Sequence, residues 1–193
     1  MTAEPGLLLS IRIADCLPVL LVDPQRRVVA AVHAGWRGAL ARVIEKAVGD
    51  MRWAFGSDPQ ELIAALGPSI RACCYQVGEE VVQSFRGSFA HAGRFFRPLP
   101  KRPHAATDRY SILFLSSYPP GHAPEHIPAA RLDLIAVAQD QLSSAGVKPA
   151  HVHVADFCTA CRSDLFFSHR KEGADTGRQA AVIGIRPPGH RVI

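Results

Sequence analysis

No run of apolar residues in this sequence approaches the roughly 20 needed to span a bilayer, so no membrane partner is expected. The opening MTAEPGLLLSIRIADCL lacks a positively charged leading region, and Arg12 and Asp15 break its apolar run, so it does not read as a secretory signal. Five cysteines, an odd number with Cys73 and Cys74 adjacent, do not make a disulfide framework. Reduced thiols in a cytoplasm are the expectation. Internal repeats are missing too, which sets aside solenoids and propellers. The formal net charge is +5, yet the basic residues are scattered. Their densest group, 94–102 (RFFRPLPKR), is broken by prolines, and Phe95 and Phe96 within it read as the hydrophobic anchor of a loop. Nucleic acid is not the expected partner, and the surplus charge suits anionic small substrates.

What is present is the composition of an ordinary globular protein: 193 residues, 48% hydrophobic and 20% charged. A chain of this size buries a core without disulfides or structural metals, so a metal, if there is one, is expected to be functional. One domain, 1–193, is the default, as a monomer or weak homodimer.

Residues 6–23 read as extended chain, interrupted at Asp15-Cys16. The run RVVAAVH (27–33) follows the turn sequence DPQR, so two buried strands form a hairpin that brings Cys16 and His33 close. Apolar residues at Leu40, Val43, Ile44, Ala47, Val48 and Met51 predict a helix over 39–55. Residues 61–66 form a strand or short helix, 77–89 a second helix and 131–145 a third that stops at Gly146. Seven prolines make 90–128 an irregular excursion, with the YSILFL run (110–115) its most regular-looking part. Closing strands are expected at 151–155 and 180–185. The sum is an α+β domain with mixed sheets.

Three polar features sit inside apolar runs, where unpartnered burial is costly. They are Asp15-Cys16, the run from His33 to Gly38 (HAGWRG), and Phe166 to Arg170 (FFSHR) followed by Thr176-Gly177-Arg178. Taken singly, Cys16 reads as a small core residue and His33 as a satisfied histidine at a strand end. Together on adjacent strands they are either a thiolate–imidazole nucleophile pair or two ligands of a zinc ion, whose donor preferences they match. Arg37, Arg170 and Arg178 are fixed positive charges near glycines, suited to two-pronged capture of phosphate, with surface ion pairing as the plainer reading. Cys158 and Cys161 form a C-x-x-C, which in isolation suggests redox chemistry or zinc.

Five runs, in order, carry a resemblance: ADCLPVLLVDP (14–24), AAVHAGWRGA (30–39), LGPSIRACCYQVGEEV (66–81), RLDLIAVAQDQL (131–142) and CTACRSDLFFSHRKEGADTGRQAAVI (158–183). They resemble the successive signatures of the laccase-domain, or peptidoglycan-editing-factor, family of purine nucleoside phosphorylases, formerly called multicopper polyphenol oxidases. The resemblance implies an α/β sandwich similar to a bacterial cytotoxic deamidase toxin. It implies phosphorolysis of adenosine, inosine, guanosine and methylthioadenosine, with adenosine deamination, so that purine nucleosides and phosphate are the partners. It implies zinc, held by Cys16, by His33 and by a histidine of an upstream Gln-Val-His segment that has no counterpart here. The chain is therefore expected to begin in mid-domain. Arg37, Arg170 and Arg178 would steer phosphate, and Asp15 would shuttle a proton or orient His33. Of the C-x-x-C, only Cys158-Thr159 belongs to the pattern, which leaves Cys161 incidental. Other readings are an amidase using Cys16 and His33 on cell-wall precursors, a copper-dependent polyphenol oxidase, and an inactive remnant.

Overall fold

The computed structural model describes residues 1–99 and 128–188. Its first three strands are β1 (Leu8–Ile13), β2 (Leu17–Asp23) and β3 (Val28–Ala34). β2 and β3 form the expected hairpin, in register from Leu17 opposite Ala34 to Asp23 opposite Val28. The buried Asp23 carboxylate sets the turn by accepting from the amides of Gln25 and Arg26, both at 2.9 Å. β2 pairs antiparallel on its other edge with β4 (Ile63–Leu66), which runs parallel to β8 (Val152–Val154). These make a four-stranded sheet in the order β3-β2-β4-β8. β1 pairs antiparallel with β9 (Gln179–Gly184), joining the early and late parts of the chain in a two-stranded ribbon beside β3. A third sheet takes β5 (Gln76–Gly78), β6 (Phe96–Arg97) and β7 (Pro128–Leu132), with β7 in the middle.

Five helices complete the described residues: α1 (Trp36–Leu40), α2 (Val43–Phe55), α3 (Glu79–Ser88), α4 (Leu134–Ser144) and α5 (His169–Glu172). The architecture is thus mixed α+β with several sheets. Strand alternation puts Val19 and Leu21 fully inside while Leu20 and Val22 stay partly exposed. α2 turns Ile44, Ala47, Val48 and Met51 onto β3, and α4 packs beside it through Leu134, Val137, Ala138 and Leu142. Each fully buried Leu, Ile or Met contributes roughly 1.5–3 kcal/mol. No helix among the described residues is long and apolar enough to cross a membrane.

Two expected helices differ from the fold. The one read over 39–55 is split, because Arg42 takes a left-handed backbone (φ 57°) between α1 and α2. Gln141, wholly buried on α4, bridges the break: its side-chain nitrogen donates to the Ala39 carbonyl at 2.6 Å, and its oxygen accepts from the Ile44 amide at 3.2 Å. The helix read over 131–145 begins only at Leu134, since Pro128–Leu132 is a strand and Asp133 caps the helix by accepting from the Ala136 amide at 3.1 Å. Of the stretch 90–128, residues Ala92–Phe95 form a 3-10 turn, and Phe95 packs edge-on against Phe85 and Phe89. Residues 100–127, with the YSILFL run, lie outside the described residues.

Candidate active site

The hairpin register decides where Cys16 and His33 point. Pro18 faces His33 and Leu17 faces Ala34, so Cys16, one step before β2, stands across from Gly35. Alternation then puts His33 and Gly35 on the face that Cys16 shares, with Cys16 and His33 as diagonal neighbours. A side chain at position 35 would collide with the sulfur, since a Cβ there would lie 2.9 Å from Cys16 Sγ. Glycine leaves that space open. Both residues line one cavity of about 340 Å3, together with Arg12, Asp15, Tyr75, His169, Arg170 and Arg178. Burial pushes the Cys16 thiol up, the neighbouring Asp15 carboxylate adds to this, and Arg178 offsets part of it. A thiolate and an imidazole beside an open space are a zinc donor set. Among the described residues no third His, Cys, Asp or Glu closes with them into a metal-ready group, although His169 lines the same cavity.

Asp15 occupies the turn between β1 and β2 with φ 85°, a left-handed backbone that aspartate tolerates better than most residues. Its buried carboxylate accepts from the Thr159 hydroxyl at 2.6 Å, the Ser168 hydroxyl at 2.7 Å and the Arg170 amide at 2.6 Å. Its own carbonyl accepts from the Ile70 amide at 2.8 Å. The residue expected to shuttle a proton or orient His33 thus spends its hydrogen bonds on distant loops, and none of those described goes to His33. It pins the start of α5, through the Arg170 amide, against the turn bearing Cys16.

The three arginines divide. Arg170 lines the cavity with Cys16 and also a neighbouring one of about 520 Å3, walled by Trp36, Arg37, Tyr75, Val77 and Val81. Its guanidinium donates to the Gln76 carbonyl at 2.7 Å and lies over the Tyr75 ring. Arg37 lies over the Trp36 ring, 4.4 Å from its centroid, and lines the second cavity. Arg178 enters the first, but one of its nitrogens is spent on the carbonyls of Thr176 and Gly177 at 2.7 and 2.8 Å. Tyr75 belongs to both cavities, and burial, with Cys16 adding, pushes its hydroxyl up to about 12. Sequence reasoning missed Arg12, Tyr75 and His169 as lining residues. Tyr75 and His169 lay inside quoted motifs, whereas Arg12 carried only the signal of a charge in an apolar strand.

A second group of side chains was not foreseen. Cys73, Cys74, Cys158 and Cys161 gather with their sulfurs all within 4.8 Å of one another, an arrangement that can hold a metal ion. Cys161, read as incidental, belongs to it, with its sulfur 3.6 Å from that of Cys73 and 3.4 Å from that of Cys74. Burial and then hydrogen bonds within the group push Cys73 up to about 11, and Cys74 rises for the same reasons. Burial also acts to raise Cys158, but hydrogen bonds from the amides of Arg71 and Cys161 and from its sister thiols outweigh it, and the net shift is downward.

Residues 1–186 match the family described as multi-copper polyphenol oxidoreductase laccase, and the chain belongs to that family. Among curated relatives it is 35% identical over 189 residues to purine nucleoside phosphorylase YlmD of Geobacillus stearothermophilus, covering 96% of this chain and 58% of the relative. It is 33% identical to adenosine deaminase RL5 of an unknown prokaryotic organism, covering 92% of this chain and 58% of that one. The crystal structure of Bacillus licheniformis protein YfiH superposes with a TM-score of 0.79 at 30% identity, over 96% of this chain and 60% of its own. The chain therefore spans about three fifths of the length of these relatives.

Proposed function

We propose that this chain supplies the larger part of the active site of a zinc-dependent, cytoplasmic purine nucleoside phosphorylase that accepts adenosine, inosine, guanosine and methylthioadenosine and also deaminates adenosine. The observation that carries this reading is the single cavity in which Cys16 and His33 face a group of arginines, beside a second cavity with aromatic walls. Relatives named for phosphorolysis and for adenosine deamination support it. Zinc held by Cys16, His33 and a third ligand from outside the described residues would supply Lewis acidity toward phosphate or water.

The chain's own residues account for the rest. Arg170, with Arg12 and Arg178 around it, binds phosphate in the first cavity, and Arg37 adds charge from the second. Trp36 and Tyr75 offer aromatic faces for the purine, with Val77 and Val81 excluding water from it. A phosphate oxygen forms a bond to the anomeric carbon as the bond from that carbon to the purine nitrogen breaks. The departing purine keeps the electron pair and takes up a proton from water. Tyr75, which keeps its own proton, donates a hydrogen bond at the junction of the two cavities. Asp15 acts through others, holding Arg170 and the Cys16 turn in place.

Steady-state kinetics of Arg170→Ala and Arg37→Ala test the phosphate assignment. Loss of a charge-assisted contact should raise KM for phosphate about tenfold or more, with a smaller effect on KM for the nucleoside. Unchanged KM for phosphate in both variants would remove the arginines from the site.

A further inference from the structure

The four cysteines outside the candidate active site come from two segments far apart in sequence. Cys73 and Cys74 sit in the turn before β5, and Cys158 and Cys161 in the turns after β8. We propose that they form a closed structural zinc site, separate from Cys16 and His33, that ties these two segments together.

The spacing of the sulfurs fits one tetrahedral ion. With zinc–sulfur bonds of about 2.3 Å, the edge of a tetrathiolate tetrahedron is about 3.8 Å. The Cys74–Cys161 and Cys73–Cys161 sulfurs stand 3.4 and 3.6 Å apart, and no pair exceeds 4.8 Å. A bridged iron–sulfur cluster places sulfides and several irons between its cysteines and spreads them further, so a mononuclear centre is the better fit. Backbone geometry points the same way: the Arg71 amide aims at Cys158 Sγ at 3.4 Å, and the Cys161 amide also bonds that sulfur. Peptide N–H groups directed at a sulfur stabilise its thiolate and hold it toward a metal. The Arg71 side chain fastens the same junction, donating to the carbonyls of Phe157 (3.2 Å) and Ala155. The four donors are soft thiols, and Cys73 and Cys161 are exposed, so an ion reaches them from solvent. Binding replaces up to four thiol protons, leaving a zinc tetrathiolate and releasing those protons to water.

The consequence reaches the neighbouring cavity through adjacent residues. Cys74 precedes Tyr75, and Cys158 precedes Thr159, whose hydroxyl holds Asp15. A metal clamp between the two segments therefore fixes two members of the candidate active site without taking part in its chemistry.

Cobalt(II) is the probe. Protein purified under reducing conditions, stripped with a chelator and titrated anaerobically with Co2+ should show thiolate-to-cobalt charge transfer and the intense ligand-field bands of tetrahedral tetrathiolate cobalt at one equivalent. Cys161→Ser should weaken and shift these bands, Cys73→Ser/Cys161→Ser should abolish them, and Cys16→Ala should leave them in place. Zinc should raise the thermal unfolding midpoint of the wild-type chain and not that of the double variant. If the double variant does not fold, band intensity in the wild type still counts the thiolates, and fewer than four overturns the proposal. It is also overturned by bands that disappear with Cys16→Ala, or by a Cys74–Cys161 disulfide in freshly reduced, metal-supplied protein. A failure here leaves the phosphorylase reading untouched, because that rests on the other cavity.

Discussion

Replacing Asp15 separates its role as a brace from any role in proton transfer. Its carboxylate accepts three hydrogen bonds of 2.6 to 2.7 Å from Thr159, Ser168 and the Arg170 amide. A bond to a charged group contributes about 1.5–3 kcal/mol net, and the two hydroxyls can turn to other acceptors where the amide cannot. Asp15→Ala should therefore cost about 3–5 kcal/mol, below the simple sum because the bonds share one acceptor group. Asp15→Asn keeps an oxygen for the hydroxyls but sets an NH2 group against the Arg170 N–H, and should cost about 2 kcal/mol. Asp15→Gly loses the same bonds as alanine yet relieves the left-handed backbone at φ 85°, worth about 1 kcal/mol. The expected order of stability is Asp, Asn, Gly, Ala, read from equilibrium urea unfolding with linear extrapolation. An alanine variant within about 1 kcal/mol of wild type, or one more stable than the glycine variant, would refute the reasoning.

Three further outcomes follow from the same geometry. Gly35→Ala places a methyl group 2.9 Å from Cys16 Sγ, so it should cost about 1–3 kcal/mol and lower zinc retention at that site, measured by urea unfolding and metal analysis; full retention of both contradicts it. Gln141→Leu leaves the Ile44 amide without its acceptor at the start of α2 and should cost about 2 kcal/mol, checked by the same unfolding assay. Because burial raises the Cys16 thiol above its ordinary value of 9.0, its reactive thiolate in metal-free protein is scarcer near neutrality than that of free cysteine. Iodoacetamide should modify Cys16 slowly near neutral pH and faster as pH rises past 9, and peptide mapping that finds it more reactive than free cysteine at neutral pH would overturn this.

The sequence made legible those features that depend on neighbours in the chain. The turn at Asp23 to Arg27 fixed the hairpin, and the hairpin register brought Cys16 and His33 to one wall without any distant contact. Features set by remote contacts were not legible. The break between α1 and α2 depends on Gln141, about a hundred residues away, and the sequence from Ala39 to Val48 carries no glycine or proline to announce it. Cys161 acquires its partners only because β4 and β8 run in parallel, which brings the turns after both strands together. Asp15 stood out as a charge in an apolar run, but the partners of its carboxylate lie more than 140 residues on, so nothing nearby pointed to them. Arg12 and Tyr75 reach the cavity through the pairing of β1 with β9 and the close of the β5 turn, both of them long-range events.

The proposed function requires that Cys16 and His33 serve one phosphorolytic site. It is tested by phosphate-dependent release of hypoxanthine from inosine, measured on the zinc-loaded protein as wild type, Cys16→Ala and His33→Ala. Release should require phosphate and fall about 100-fold or more in each variant, because a zinc site reduced to two protein ligands loses affinity and geometric control. Release that proceeds undiminished in either variant, or at the same rate without phosphate, contradicts it.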